Sequence, residues 1–320
     1  MITENKKLAF LFPGQGAQYP GMGKDFFDQF SVAKETFQQA DDLLHFSLSK
    51  LIFSGSLEEL TLTKNAQTAI FVVSLALLRV LKKEMPALEL KATGGLSLGE
   101  YSALVAAGKL MFEEALLLVR KRAELMHNAC ERHKGTMAAV LGMDSAKVEK
   151  LILPLRKEQV YPANFNTPGQ VVISGTFEGV EKASQLLKAE GAKEAKKIKV
   201  IPLKVHGAFH SGLMEEAQIS LAPEIEKTIF LKSPTAIVMN VIGGFVEDVE
   251  KMKEALILQI VNPVRWQYCV ETLDQSGIEL FIEIGPGKTL SAMNKKIGVK
   301  GQTLSLEKVS DLELIHQEVF

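Results

Sequence analysis

Thr93-Gly94-Gly95-Leu96-Ser97-Leu98-Gly99-Glu100 reads as the end of a short strand turning into a helix that continues through Ala107. A serine on such a turn, with a glycine two residues to either side, has the form of a nucleophile elbow. Glycine is needed there because strand and helix pass too close for side chains, and the tight turn lifts Ser97 Oγ out of the sheet. The helix N-terminus behind it offers N–H groups and a partial positive charge to a developing oxyanion. The same letters also describe an ordinary strand-to-helix turn with an N-capping serine. The strand–turn–helix context favours the nucleophile.

Upstream of the elbow, residues 8–12 form a short apolar run that suits a buried parallel strand. It is followed by Pro13-Gly14-Gln15-Gly16-Ala17-Gln18, a loop at the strand's C-terminal end, where open α/β sheets place their ligand sites. That loop lacks the lysine of G-x-x-x-x-G-K-[ST] and the spacing of G-x-G-x-x-G, so it is not read as a nucleotide site. Gln15 either offers an amide to the cavity of Ser97 or bonds its own loop. Helices are expected over 25–44, 65–83 and 112–130, the last carrying the basic triplet Arg120-Lys121-Arg122, which by itself reads as a solvated face.

Beyond His133 the texture changes. Strands over 136–141, 160–165 and 170–174, helices over 145–153 and 179–190, and an extended return over 195–205 give the order βαββαβ, the ferredoxin-like split. The alternation of strands (236–241, 280–284, 303–306) and helices (from 212, then 249–260, 264–275 and 287–296) then resumes. The expected fold class is α/β: a large, mostly parallel domain from residues 1–132 and 205–320, interrupted by a small ferredoxin-like domain over 133–204.

A length of 320 residues, 47% hydrophobic content and a net charge of -1 describe an ordinary globular chain with no general pull towards nucleic acid or an anionic membrane. Cys130 and Cys269 show no metal-ligand spacing and read as reduced thiols. Met1-Ile2-Thr3-Glu4-Asn5-Lys6-Lys7 shows no signal-peptide pattern. The apolar run 69–78 is about half the ~20 residues that cross a bilayer, so it reads as a buried helix. The expected setting is cytoplasmic.

A serine nucleophile needs a base, most often histidine. Of six histidines, His45 and His316 read as surface residues, while His127 and His133 sit at a helix end and a domain boundary. His206 and His210 flank Gly207-Ala208-Phe209 in a loop that follows an extended segment, the place where an α/β sheet gathers site residues. An α/β-hydrolase has its histidine near the C-terminus, with an acid before it. About a third of this chain follows the pair, which argues against that fold.

These residues together resemble the malonyl-CoA:acyl carrier protein transacylases of bacterial fatty-acid synthesis, whose relatives serve polyketide systems. The resemblance rests on Phe12-Pro13-Gly14-Gln15-Gly16, Asn65-Ala66-Gln67-Thr68-Ala69 and Ser97-Leu98-Gly99-Glu100-Tyr101-Ser102-Ala103-Leu104. It continues through Arg122, Asn164-Phe165-Asn166-Thr167-Pro168-Gly169-Gln170, Phe209-His210, Gln259, Asn262-Pro263-Val264 and Glu283-Ile284-Gly285-Pro286-Gly287-Lys288.

The resemblance implies Ser97 as nucleophile, His210 as base, and the backbone N–H groups of Leu98 and Gln15 as oxyanion hole. It implies that Gln259, or a carbonyl near Asn262, holds the imidazole. Arg122 would take the malonyl carboxylate, with Asn166 and Phe209 also in the substrate site. One position departs from the pattern: Leu96 stands where the family usually has histidine. The implied enzyme is a monomer with no cofactor and no metal. Its substrates are malonyl-CoA and the phosphopantetheine thiol of acyl carrier protein, and it has no nucleic-acid or membrane partner. An acidic carrier protein calls for a basic rim, for which Lys188, Lys193, Lys196, Lys197 and Lys199 are candidates. Two rival readings are an acyl hydrolase and a non-catalytic docking subunit. Arg122 argues against the first and the intact Ser97, His210 and Gln15 against the second.

Overall fold

The computed structural model describes residues 6–194 and 197–320. Ala195 and Lys196, the start of the expected return and one of the rim lysines, lie outside the described residues, as does the segment 1–5.

Among the described residues ten strands follow one another: β1 Leu8–Phe12, β2 Leu90–Gly95, β3 Thr136–Leu141, β4 Val160–Thr167, β5 Gln170–Gly175, β6 Lys199–Pro202, β7 Ala236–Met239, β8 Gly244–Phe245, β9 Leu280–Ile284 and β10 Gln302–Leu306. They form two sheets. The larger runs β10-β9-β1-β2-β7-β8, parallel throughout except for the short β7–β8 pair. Its central strand β1 is buried at every position, as a strand covered by helices on both faces must be. The register pairs Phe12 with Gly95. The Pro13–Gln18 loop and the Ser97 turn therefore leave the sheet side by side.

The smaller sheet is antiparallel with order β4-β5-β3-β6, the ferredoxin-like arrangement that βαββαβ predicts. Its side chains divide by the two-residue period of a strand. Ala138, Val140, Val171 and Ile173 face a core built with the helices Ser145–Ile152 and Phe177–Lys193. Met137 and Val172 face the opposite way, into the large core. A bridge between Asn164 and Val264 fastens β4 to the large unit.

The structure adds detail that periodicity did not carry. The expected helix 25–44 breaks at Phe30, whose extended backbone separates Lys24–Gln29 from Ser31–Leu44. Helices Leu48–Ser54, Leu57–Thr61 and Asp311–Val319 were not anticipated. The helix around the apolar run 69–78 spans Thr63–Glu84, 22 residues, long and apolar enough to cross a membrane; 89% of its apolar window is buried inside the fold. Cys130 and Cys269 are both free and buried.

Candidate active site

Ser97 stands between β2 and the helix Gly99–Ala106 with φ 53°, a left-handed conformation that costs a non-glycine residue roughly 1–3 kcal/mol. The flanking glycines permit this turn. A Cβ on Gly95 would lie 2.0 Å from the Gly99 carbonyl, and one on Gly99 would lie 2.1 Å from Phe12 O. Asn240, the residue after β7 and fully buried, holds the turn in place. Its Oδ1 accepts the Ser97 N–H at 2.6 Å, and its Nδ2 donates to Gly95 O at 2.7 Å. Ser97 does not cap the helix: the N-cap position is Leu98, with no side-chain cap.

Leu96 N–H donates to Phe12 O, Gly99 N–H to Leu96 O, Glu100 N–H to Ser97 O and Tyr101 N–H to Leu98 O. Among the described residues Leu98 N–H is the one donor between 96 and 101 without a protein acceptor, and Gln15 N–H in the adjoining loop has none either. Unspent donors beside a serine, at a helix N-terminus, are what an oxyanion requires. The Gln15 side chain meets Thr63 Oγ1 and Gln67 Nε2, each at 3.4 Å.

His210 reaches the serine from the loop after β6. Its Nε2 lies 2.8 Å from Ser97 Oγ, and its Nδ1 lies 2.7 Å from the main-chain carbonyl of Gln259. A carbonyl only accepts, so Nδ1 carries the proton and Nε2 is left to take one from Oγ. Burial pushes the imidazole pKa down to about 4, and the Arg122 charge adds to the effect, while the main-chain groups of Gln259 and Asn262 pull it partly back. Gln259 thus supports His210 as expected, but through its backbone oxygen. Its side chain turns away from the imidazole: Nε2 donates to Ser97 O at 3.0 Å and to Glu100 Oε2 at 2.6 Å.

Helical periodicity of 100° per residue sorts the basic triplet. Arg120 pairs with Glu124 on the surface and Lys121 is exposed, whereas Arg122 is 1% exposed, beside the serine. Its Nη2 donates to Ser97 Oγ at 3.1 Å and to Gln259 Oε1 at 2.8 Å, and its Nη1 to Gln67 Oε1 at 2.5 Å. Its Nε is buried without a partner, and among the described residues Arg122 makes no ion pair within 4.0 Å. The guanidinium is thus anchored by neutral amides and a hydroxyl, with donor capacity and charge to spare.

Ser97, His210, Arg122, Gln15, Asn166 and Phe209 all line one cavity of about 290 Å³ between the two sheets. Met137 and Val172 close it from the inner face of the small sheet. Asn166 is nearly buried, and its Oδ1 has no protein partner. Leu96 also lines the cavity and packs against the neighbouring core, so the position offers no polar group.

Among the described residues none of the other histidines hydrogen-bonds Ser97, although His206 also lines the cavity. His206 Nε2 pairs with Glu131 at 2.6 Å, and its ring stacks on His127 with centroids 5.0 Å apart. His45, His133 and His316 are exposed. Among the described residues no cluster of three or more His, Cys, Asp or Glu is arranged to hold a metal ion. Lys188 and Lys193 lie on the helix over the far face of the small sheet, and Lys193 pairs with Glu190, whereas Lys204 lines the cavity.

Sequence reasoning missed Asn240 and Glu100 as members of this site. Asn240 is a single polar residue after a strand with no pattern around it, and Glu100 reads only as part of the helix behind the elbow, with no role of its own.

A family profile described as an acyl transferase domain matches residues 9–314. The malonyl CoA-acyl carrier protein transacylase of Bacillus subtilis is 44% identical over 313 residues, 97% of this chain and 96% of that protein. This chain belongs to the malonyl-CoA:acyl carrier protein transacylase family. The crystal structure of the Streptococcus pneumoniae member superposes with a TM-score of 0.91 at 39% identity, covering 98% of this chain and 100% of that one. A malonyl-transacylase in complex with its type II polyketide synthase acyl carrier protein matches equally well, with a TM-score of 0.91 at 35% identity, covering 98% and 99% of the two chains. The family's mixed α/β fold is therefore the fold of this chain.

Proposed function

We infer that the enzyme transfers a malonyl group from malonyl-CoA to the phosphopantetheine thiol of acyl carrier protein by a ping-pong route through malonyl-Ser97. The observation that carries this reading is a buried, unpaired guanidinium 3.1 Å from the nucleophile's oxygen. A plain acyl chain gives that charge nothing to bind, whereas a malonyl carboxylate satisfies it in the forked geometry that arginine suits.

His210 Nε2 takes the Ser97 proton as Oγ attacks the thioester carbonyl. The N–H groups of Leu98 and Gln15 receive the oxyanion, and coenzyme A leaves as a thiol. His210 gives that proton to the departing sulfur. The carrier's pantetheine thiol then attacks the ester, His210 accepting its proton and returning it to Ser97 Oγ as the ester bond breaks. A neutral imidazole, kept so by its low pKa, is ready for both half-reactions. Asn166 Oδ1, buried and without a protein partner, is placed to accept from a donor on the pantetheine arm or the thioester. Phe209 forms part of the wall beside the malonyl methylene. We assign no cofactor or metal to the reaction, take the active unit as a monomer, and place the work in cytoplasmic fatty-acid synthesis. The same reading treats 133–204 as an inserted domain, supported by its separate core.

Intact-protein mass spectrometry tests the reading. Malonyl-CoA should add one malonyl mass to wild type and none to Ser97→Ala. Label on the alanine variant, or wild type labelled by acetyl-CoA and not by malonyl-CoA, would overturn it.

A further inference from the structure

We propose that Glu100 is a positioning residue, its carboxylate fixing the donor–acceptor sense of the Gln259 amide and so holding Ser97, His210 and Arg122 in one frame. The proposal rests on the acyl-transfer reading above. Glu100 is fully buried in the first turn of the helix Gly99–Ala106 and does not line the cavity, so it acts through other residues. Two donors converge on its two oxygens. Asn240 N–H meets Oε1 at 2.5 Å, and Gln259 Nε2 meets Oε2 at 2.6 Å.

Each of those partners holds a different part of the machinery. Asn240 straddles the serine turn through Ser97 N–H and Gly95 O. Gln259 holds His210 through its backbone oxygen, and its amide bridges Ser97 O and Arg122. The carboxylate therefore joins the support of the nucleophile to the support of the base across about 140 residues of sequence.

The amide has only one sense compatible with these neighbours. Rotated by half a turn, its oxygen would face the Glu100 carboxylate and the Ser97 carbonyl, and its NH₂ would face the guanidinium. Acceptor would then oppose acceptor and donor would oppose donor. An anion at position 100 selects the observed sense, because both its oxygens accept. A glutamine there has one acceptor for two incoming donors, so it must give up either Asn240 or Gln259. A buried carboxylate is costly, and burial pushes its pKa up; the N–H donors of Asn240 and Gln259, one on each oxygen, and the Arg122 charge oppose that push, which is the arrangement an anion needs.

The experiment compares wild type, Glu100→Gln and Glu100→Asp in single-turnover acylation with malonyl-CoA and with acetyl-CoA, across substrate concentration. The isosteric Glu100→Gln should lower the saturated rate constant roughly 10²-fold with both donors, the scale of a small misplacement at a reacting centre, while the half-saturating concentration moves less than about threefold. Glu100→Asp keeps two acceptors one methylene short and should fall between wild type and Glu100→Gln. A Glu100→Gln rate within about threefold of wild type, or loss confined to the half-saturating concentration, overturns the proposal. Should Glu100→Gln not fold, Glu100→Asp decides alone: a wild-type rate overturns it, and a rate at least tenfold lower at unchanged half-saturation supports it. Failure of wild type itself to accept a malonyl group would sink the acyl-transfer reading instead.

Discussion

Ser97 and His210 are both held in the left-handed backbone region, at φ 53° and 56°, with Oγ and Nε2 2.8 Å apart. Neither residue reaches the other from an ordinary loop. The Asn240 clamp on Ser97 N–H and Gly95 O holds the serine turn, and the Gln259 carbonyl holds the His210 imidazole through Nδ1. Strain concentrated at two residues that meet is strain in the service of chemistry.

A stability order follows. At a left-handed position glycine is favoured over any L-residue by about 1–2 kcal/mol. Ser97→Gly and Ser97→Ala lose the same hydroxyl, so the glycine variant should melt higher by about 2–4 °C, the reverse of the usual order. Calorimetry of the two variants checks this. An alanine variant as stable as the glycine variant would mean the turn is not strained.

His210→Ala should lose acylation by roughly 10²–10⁴-fold, the range for loss of a general base. His206→Ala removes a surface pair with Glu131 and should stay within about tenfold, equivalent to ~1.4 kcal/mol. Stopped-flow acylation with malonyl-CoA measures both. The opposite ranking would transfer the base to His206.

The pH profile carries a sign. Burial, helped by Arg122, lowers the His210 pKa from 6.5 to about 4, and the neutral form is the base. The base form therefore persists as pH falls through 6.5 and is lost only as pH falls through about 4. Acylation measured from pH 5 to 7 should show no inflection near 6.5. A limb centred at 6.5 would mean that the imidazole is solvated in the working enzyme.

Much of this arrangement was legible in the sequence because it lies in short local patterns. The elbow glycines, the strand before them and the βαββαβ order are each written within a few tens of residues, and β3 and β9 fall where the sequence put them. Arg122 was legible only through resemblance, since nothing local separates it from Arg120 and Lys121. The atom by which Gln259 acts was not legible at all, because a backbone carbonyl leaves no mark on residue type. Asn240 and Glu100 escaped for a related reason: their meaning lies in contacts across 140 or more residues that only the sheet order creates. The helix Leu57–Thr61 did carry a local signal, the Ser56 cap on Glu59 N–H, whereas the break at Phe30 has no such mark in the sequence.

On the proposed mechanism Arg122 receives the malonyl carboxylate beside Ser97. The most direct measurement is single-turnover acylation of wild type and Arg122→Ala with malonyl-CoA and acetyl-CoA in parallel. Removing one partner of a buried ion pair costs about 3–5 kcal/mol, so malonyl transfer should slow roughly 150- to 5,000-fold. Acetyl transfer has no carboxylate to lose and should change by less than about tenfold, an allowance of ~1.4 kcal/mol for the lost contact with Ser97 Oγ. Equal losses with both donors, or no loss with either, would contradict the account.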